Sequence, residues 1–244
     1  MAKQIYKVHS YPKLASFMKK FSSIEKSLLF EITDDKIIAK THTPDKSVVK
    51  IGSALITDIM DAQGVTEPVK IGLFAVDNFV SSFKHFGETE TKIEINGEKV
   101  GDETVATEMK AASKNLKISF PCASMSLFRY IDSELAKKIS DTSTAVFSFR
   151  IDKDTLTKIS SLSSLDSEND ILTISAEGGN VSFKGKTFEY SLEGVTVEND
   201  GEISFFKSHL GFIDKEDSEV FVTETKTIVK SLESDTLIVV GKVE

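Results

Sequence analysis

The chain has 244 residues, of which 40% are hydrophobic and 28% charged, and its formal net charge is −8. This composition predicts one large or two modest globular domains, and no apolar run approaches the roughly 20 residues that a membrane-spanning helix needs. The single cysteine excludes an internal disulfide and a cysteine-based zinc cluster and favours a reducing compartment, so we expect a cytoplasmic protein, in the host cytoplasm if it is viral.

Helical periodicity is restricted to four short windows. In the first, four apolar residues share one face and Lys19 lies opposite them. In the second, His85 lies opposite an aromatic stripe, and in the third Lys158 lies away from a weaker stripe. The windows are 11–22, 76–86, 153–162 and 206–213.

Most of the remaining chain consists of short strand-like segments bounded by turn residues, so the sequence predicts that sheet dominates. Pairs such as Asn96-Gly97 and Gly178-Gly179 are typical of hairpin turns. The predicted strands are 27–33, 36–41, 47–52, 68–74, 91–96, 115–120, 145–151, 170–175, 180–185, 188–197, 202–206, 218–224 and 236–243.

The two halves of the chain repeat the same pattern of apolar residues at a constant offset of 142 residues. This offset pairs Leu14 with Leu156, and the same offset pairs Phe30 with Leu172. The offset predicts an α+β fold of two pseudo-repeated domains, with helices on one face of antiparallel sheets. We place an N-terminal domain at 1–121, a connector at 122–144 and a C-terminal domain at 145–244. An alternative interpretation of 122–144 is an amphipathic helix packed on the core.

The positive charge is concentrated near the N-terminus. The segment 1–24 contains five lysines and no acidic residue, and it lacks the apolar segment of a secretory signal. Only Arg129 and Arg150 are arginines, and lysine binds phosphate as a mobile point charge, whereas reading of base edges favours arginine. Any contact with nucleic acid is therefore expected to be weak and independent of sequence. The alternative is that these lysines only keep the surface soluble.

The sequence lacks the motifs of the common enzyme classes. The four histidines are far apart, and there is no metal-binding spacing, nucleophile elbow, P-loop or dinucleotide fingerprint. The acidic stretch 214–217 is typical of a solvated loop. We therefore predict no enzyme, no catalytic residues, no metal and no cofactor.

Several segments resemble the DNA polymerase sliding clamps, and the tailed-bacteriophage type of the PCNA-like clamps in particular. VKIGLFAVDNFVSSFKHF is similar to the second half of their first domain, and NLKISFPCAS to the last strand of that domain. FSFRIDKDTLTKISSLSSL resembles the start of their second domain and TLIVVGKVE their closing strand. These segments lie at 69–86, 115–124, 147–165 and 236–244.

The resemblance implies a processivity factor in bacteriophage DNA replication: a head-to-tail homotrimeric ring that encircles double-stranded DNA and tethers the replicative DNA polymerase. An ATP-dependent clamp loader would open the ring. The implied channel residues are Lys13, Lys19, Lys20, Lys84, His85, Lys158 and Lys207. The implied groove for partner peptides contains Leu127, Phe128, Ile131, Val239 and Val240. For the two valines, the alternative is a plain core strand.

Two other functions remain open from the residues alone. A β-rich structural or assembly protein would have the same strand pattern without encircling DNA. A small enzyme with an unrecognised site would have a deep pocket with perturbed carboxylates.

Overall fold

The structure is a computed structural model that describes residues 2–64, 66–86, 91–167 and 169–243. Glu244, the last residue of the segment 236–244, lies outside the described residues. The chain divides into two compact units. Unit 1 contains Met1–His42 and Ile51–Ile131, and unit 2 contains Thr43–Lys50 and Asp132–Glu244. The domain limits expected at residues 121 and 145 stay a prediction.

Unit 1 contains two α-helices and most of the N-terminal strands, and β4 passes from unit 2 into unit 1 at residue 51. The helices are α1 (Tyr11–Ser22) and α2 (Val76–Ser82), with 3-10 helices at Ile56–Asp58, Phe83–His85 and Met125–Leu127. The strands are β1 (Ala2–Val8), β2 (Leu28–Ile32), β3 (Lys36–His42), β4 (Val48–Leu55), β5 (Met60–Ala62), β6 (Val69–Leu73), β7 (Thr91–Val100), β8 (Glu103–Ala112) and β9 (Lys117–Pro121).

Unit 2 has the same mixture of short helices and antiparallel strands. The helices are α3 (Ser133–Ile139) and α4 (Lys153–Leu165), with a 3-10 helix at Lys207–Phe212. The strands are β10 (Phe147–Ile151), β11 (Ile171–Glu177), β12 (Asn180–Lys184), β13 (Glu189–Thr196), β14 (Gly201–Phe206), β15 (Ser218–Val222), β16 (Lys226–Ser231) and β17 (Asp235–Gly241).

The sheet of unit 1 runs in the order β4-β3-β2-β6-β8-β7-β1-β5, and β9 pairs with β8. Its neighbours are antiparallel in every pair whose register is resolved except β6 and β8, which are parallel. The apolar faces of α1 and α2 belong to one buried cluster with the side chains of this sheet. In unit 2, β10-β15-β16-β17 form one run and β13-β12-β11-β14 a separate four-stranded sheet.

The strand pairing of unit 1 recurs in unit 2. In unit 1, β1 is followed by α1 and pairs with β7. In unit 2, β10 is followed by α4 and pairs with β15. The hairpin after α1 (β2 with β3) matches the hairpin after α4 (β11 with β12). Pairing of β2 with β6 matches that of β11 with β14, and the ladder β7-β8-β9 matches β15-β16-β17. The predicted α+β fold with two pseudo-repeated halves is confirmed.

Burial follows the same internal offset. Leu14 and Leu156 are each 2% exposed, and Phe30 and Leu172 are 2% and 1% exposed. Equivalent positions therefore face the core of their own unit, as expected if the hydrophobic pattern fixes which face of each element is buried.

Some local predictions are wrong. Asn96-Gly97 lies inside β7 at an irregularity of its pairing with β8, and the chain turns at Gly101-Asp102 instead. Strand β8 was not predicted because its sequence ETVATEMKAA is rich in helix-forming alanine and glutamate. Pairing with β6, β7 and β9 supplies its hydrogen bonds and outweighs that local preference. Strands β1, β5 and β16 were also missed. Helix α3 lies within 122–144, where the alternative interpretation expected an amphipathic helix, and its Ala136 is buried.

Candidate nucleic-acid interface

Helix α1 carries basic residues on the side opposite its buried stripe. Pro12 occupies the first turn, where a missing N–H costs nothing. Leu14, Phe17, Met18 and Phe21 are buried, whereas Lys13 and Lys19 are exposed and Lys20 is half-buried. The Lys13 ammonium lies 3.8 Å from the carboxylate of Asp58, and both side chains are more than half exposed. This exposed pair is weak and leaves the Lys13 charge accessible.

The second basic element follows α2 directly. Phe79 and Phe83 are buried and meet edge to face, with ring centroids 4.6 Å apart. The 3-10 turn after them exposes Lys84 and His85. Aromatic packing on one side therefore places the basic side chains on the other side.

Helices α1 and α2 border a shallow groove of about 480 Å³ in unit 1. Its walls are largely apolar and include Tyr11 and Phe83, whose ring centroids are 4.7 Å apart. Lys19 and Lys84 also lie in the groove wall. The structure thus brings together two of the lysines predicted to contact DNA, although they are far apart in sequence.

In unit 2, Lys158 projects from the exposed side of α4. This helix begins at an Asp152 cap, whose Oδ1 accepts a hydrogen bond from Thr155 N at 2.8 Å. Leu156 and Ile159 are buried, and the Lys158 ammonium lies 4.6 Å from the centroid of the Tyr190 ring. This cation–π contact holds the lysine without neutralising its charge.

Lys207 is half-buried, as Lys20 is, and its ammonium is engaged within unit 2. Its ammonium donates to the Asp166 backbone carbonyl and lies 3.9 Å from Asp170 Oδ1. The Lys207 ammonium is therefore only partly accessible to solvent.

A second groove, of about 590 Å³, lies between α4 and the 3-10 helix Lys207–Phe212 of unit 2. It contains Lys207 and also Lys215, which sequence analysis missed. The Lys215 ammonium donates to Ser160 Oγ and, at 3.4 Å, to the Leu210 carbonyl. Burial of this ammonium lowers the pKa of Lys215, partly offset by the charge of Asp214.

The loop 214–217, expected to be solvated, is tied to the fold. Asp214 Oδ1 lies 2.7 Å from the ammonium of Lys50, which is 1% exposed in its side chain. Asp217 Oδ1 accepts from Lys153 N at 3.0 Å. No sequence signal links the loop to these partners, because both lie far away along the chain.

The predicted partner groove retains two accessible residues in unit 1. Leu127 is 64% exposed, and Phe128 stacks on Phe74, with ring centroids 5.4 Å apart and Phe74 itself 54% exposed. Phe128 sits against Gly72, where an added Cβ would come within 2.8 Å of the Ala123 carbonyl oxygen and would overlap the Phe128 ring. The glycine is needed for this close approach. The predicted partner groove did not include Phe74, although this residue directly follows the apolar strand β6.

The other three predicted groove residues are buried. Ile131 is 2% exposed, and Val239 and Val240 in β17 are 5% and 1% exposed. In this conformation their side chains serve the core and offer no surface to a peptide.

Within residues 2–64, 66–86, 91–167 and 169–243, no three His, Cys, Asp or Glu side chains are grouped to hold a metal ion. Over the same residues, no helix has the length and apolar character needed to cross a membrane.

Comparison with solved structures identifies the fold. Proliferating cellular nuclear antigen (PCNA) from Entamoeba histolytica matches with a TM-score of 0.71 at 13% identity, over 100% of both chains. PCNA from A. fulgidus, solved with the C-terminal region of FEN-1 bound, matches with a TM-score of 0.69 at 10% identity, over 98% of this chain and 99% of that one. The DNA polymerase III beta subunit from Borrelia burgdorferi matches with a TM-score of 0.69 at 13% identity, over 98% of this chain and 65% of that one.

The sequence itself matches no protein-family model and no curated protein. The chain nevertheless has the fold of PCNA and beta sliding clamps over its whole length. The predicted resemblance to sliding clamps is confirmed at the level of the fold.

Proposed function

We propose that the chain is a DNA sliding clamp, a protein without catalytic activity that encircles duplex DNA and tethers a replicative DNA polymerase. The observation that carries this proposal is the full-length clamp fold, on which Lys19, Lys84 and Lys158 are exposed on or directly after short helices. Lys13, Lys20, His85 and Lys207 belong to the same proposed set of channel residues.

The charge distribution fits binding by enclosure. A chain of net charge −8 attracts DNA poorly as a whole, but a minority of lysines facing a channel supplies local attraction. Lysine contacts to phosphate do not read sequence, and water-mediated contacts exchange quickly. A ring that holds the duplex by topology can therefore slide along it.

The proposed assembly is a head-to-tail homotrimer that a clamp-loader ATPase opens. One of the matching structures, of PCNA2 and PCNA3 from Sulfolobus tokodaii, is itself a complex of two clamp subunits. A heterologous interface that closes by rotation forms a ring, and pairing between subunits would cover edge strands such as β5 or β13.

The surface around Phe74, Leu127 and Phe128 is the proposed docking site for polymerase and loader tails. Exposed aromatic and aliphatic side chains are the anchors that give short peptides most of their affinity. The A. fulgidus structure, in which PCNA binds a C-terminal region of FEN-1, supports a tail as the occupant.

Two measurements test the proposal. Light scattering across a dilution series should give the mass of three 26.9 kDa chains. On closed circular DNA, the loaded protein should remain bound, and it should leave when the circle is cut. A stable monomer or dimer, or equal release from circular and linear DNA, would overturn the proposal.

Charge reversal then tests the lysines. The double variant Lys19→Glu/Lys158→Glu should lower loading or retention on DNA at least tenfold, because each chain loses two phosphate contacts and gains repulsion. The matched control is Lys230→Glu, which changes an exposed lysine of β16 outside the proposed set. Equal effects of both changes would contradict the assigned channel.

A further inference from the structure

The groove between α4 and the 3-10 helix Lys207–Phe212 has a lining unlike that of its counterpart in unit 1. The groove of unit 1 has aromatic walls that include Tyr11 and Phe83. The groove of unit 2 combines four serine hydroxyls with two ammonium groups, supplied by Ser160, Ser163, Ser164, Lys207, Ser208 and Lys215. Its volume of about 590 Å³ falls in the range of small-molecule sites.

The two ammonium groups have donor capacity to spare. An ammonium has three N–H donors. Lys215 uses two of them, on Ser160 Oγ and the Leu210 carbonyl, and forms no salt bridge among the described residues. Lys207 uses one on the Asp166 carbonyl, and its nearest carboxylate in the groove, Asp170, is 87% exposed in its side chain at 3.9 Å. An anion that enters the groove would meet N–H groups from two directions.

A buried hydroxyl in the same wall lacks a partner. The hydroxyls of Ser160 and Ser164 bond back to carbonyls of α4, at 2.8 Å and 2.9 Å. Ser163 is 4% exposed, and its hydroxyl has no hydrogen-bond partner among the described residues. Buried polar groups are normally paired, so an unpaired one in a cavity wall points to a ligand or water that would complete it.

An aromatic ring lies beside this polar pocket. Phe206 lines the groove and is 40% exposed. Its ring packs edge to face with that of His209, and the two ring centroids are 5.6 Å apart. Exposed aromatic rings provide platforms on which nucleobases stack. The exposed carboxylate of Asp170, also in the groove, can accept a hydrogen bond from a sugar hydroxyl or an amino group.

We propose that this groove binds a nucleoside 5′-phosphate, with its phosphate among the serines and the two lysines and its base on Phe206. A phosphate monoester carries a charge of about −1.5 to −2 and three acceptor oxygens. It matches two ammoniums and several hydroxyls better than a backbone phosphodiester, which has one charge. The site shares Lys207 with the proposed channel residues, whereas Lys215 and Phe206 are outside that set, so variants of these two residues test the site separately from the proposed clamp function.

Binding to the full chain is tested by calorimetry at physiological salt with deoxyadenosine 5′-monophosphate as the probe. The probe should bind at least tenfold more tightly than deoxyadenosine. The variants Lys215→Met and Phe206→Ala should each weaken its binding at least fivefold, whereas Lys230→Met, which removes an equivalent charge elsewhere in unit 2, should leave it unchanged.

Three results would overturn the proposal: equal binding of nucleotide and nucleoside, equal loss in Lys215→Met and Lys230→Met, or no saturable binding. If Lys215→Met fails to fold, Ser208→Glu replaces it. Ser208 is exposed, so a carboxylate there is tolerated by the fold and should abolish binding by repulsion.

A nucleoside 5′-phosphate occurs both as a free nucleotide in solution and at the 5′ end of a DNA strand. A 5′-phosphorylated hexanucleotide and its 5′-hydroxyl form distinguish the two sources. Preference for the phosphorylated strand over both its hydroxyl form and the mononucleotide assigns the site to strand ends. A preference for the mononucleotide assigns it to free nucleotides.

Discussion

The ammonium of Lys50 lies 2.7 Å from Asp214 Oδ1 and also donates to the Phe212 carbonyl at 3.0 Å. The Lys50 side chain is 1% exposed, so these partners replace solvent around its charge. Through this pair, the strand β4 holds the loop that follows the 3-10 helix Lys207–Phe212.

Removing the carboxylate should destabilise unit 2. In Asp214→Asn, the buried Lys50 ammonium loses the negative charge that lies 2.7 Å away, and we expect the free energy of unfolding to fall by about 3 kcal/mol. Urea unfolding measures the change. Lys99→Met, which breaks the exposed pair with Glu67, is the matched control and should have a far smaller effect. Equal losses of stability in Asp214→Asn and Lys99→Met would show that the buried Lys50–Asp214 pair stabilises the fold no more than an exposed pair does.

Gly72→Ala should disturb the surface around Phe128. The added methyl group would overlap the Phe128 ring and approach the Ala123 carbonyl, so we expect a loss of about 1–3 kcal/mol and a displaced Phe128. Thermal unfolding and affinity for a polymerase tail peptide report the two effects. Gly211→Ala, where a methyl group meets nothing within 4 Å, should change neither. An unaltered peptide affinity in Gly72→Ala would contradict the role assigned to Phe128.

Protonation of His209 should weaken unit 2 in mild acid. His209 is 5% exposed, its ring nitrogen Nε2 lies 3.2 Å from Ser47 Oγ, and burial lowers its pKa below the ordinary value of about 6.5. Below that value the unfolded chain binds a proton that the folded chain does not, so the free energy of unfolding falls as the pH falls from about 6.5 toward the folded pKa.

The comparison of wild type with His209→Gln isolates this effect in urea unfolding at pH 7.5, 6.5 and 5.5. The wild type should lose more stability than the variant over this range, and parallel losses would refute the assignment.

Asp45 affects stability in a separate, more acidic pH range. Hydrogen bonds from Thr43 and Ser47 lower its pKa to about 2, so its contribution is present above the ordinary aspartate pKa and is lost as the pH falls through 2.

The Cys122 thiol should resist alkylation. Burial, with a smaller effect from the Glu108 charge, raises the pKa of Cys122 to about 12, so little reactive thiolate exists at pH 8. Iodoacetamide should react at least about a hundredfold more slowly with the folded protein than with free cysteine. The urea-unfolded chain should react at the ordinary rate. A fast reaction in the folded state would mean that the segment after β9 opens readily.

Patterns within one element could be predicted from sequence, whereas contacts between distant elements could not. The buried stripe of α1 and the exposed position of Lys19 follow from spacing alone. The turn at Gly178-Gly179 also follows, because both residues have positive φ. By contrast, Lys215 reaches Ser160 from a distant part of the chain, which no local pattern indicates. Val239 and Val240 lie in the predicted strand 236–243, and their burial agrees with a core strand.

Composition misled where tertiary pairing outweighed local preference. The sequence of β8 favours a helix, and Asn96-Gly97 favours a turn, yet both belong to the β7-β8 ladder. Backbone hydrogen bonds along two long strands add up, whereas one turn-forming dipeptide contributes only locally.

The recurrence of the same strand ladders in both units separates what maintains the fold from what can vary. Backbone amides form these ladders whatever side chains they carry, so the same scaffold holds aromatic groove walls in one half and hydroxyl-rich walls in the other. A duplicated chain can therefore acquire a new binding specificity in one copy while the other copy keeps its original surface. The two halves of this protein provide such a pair for mutational exchange.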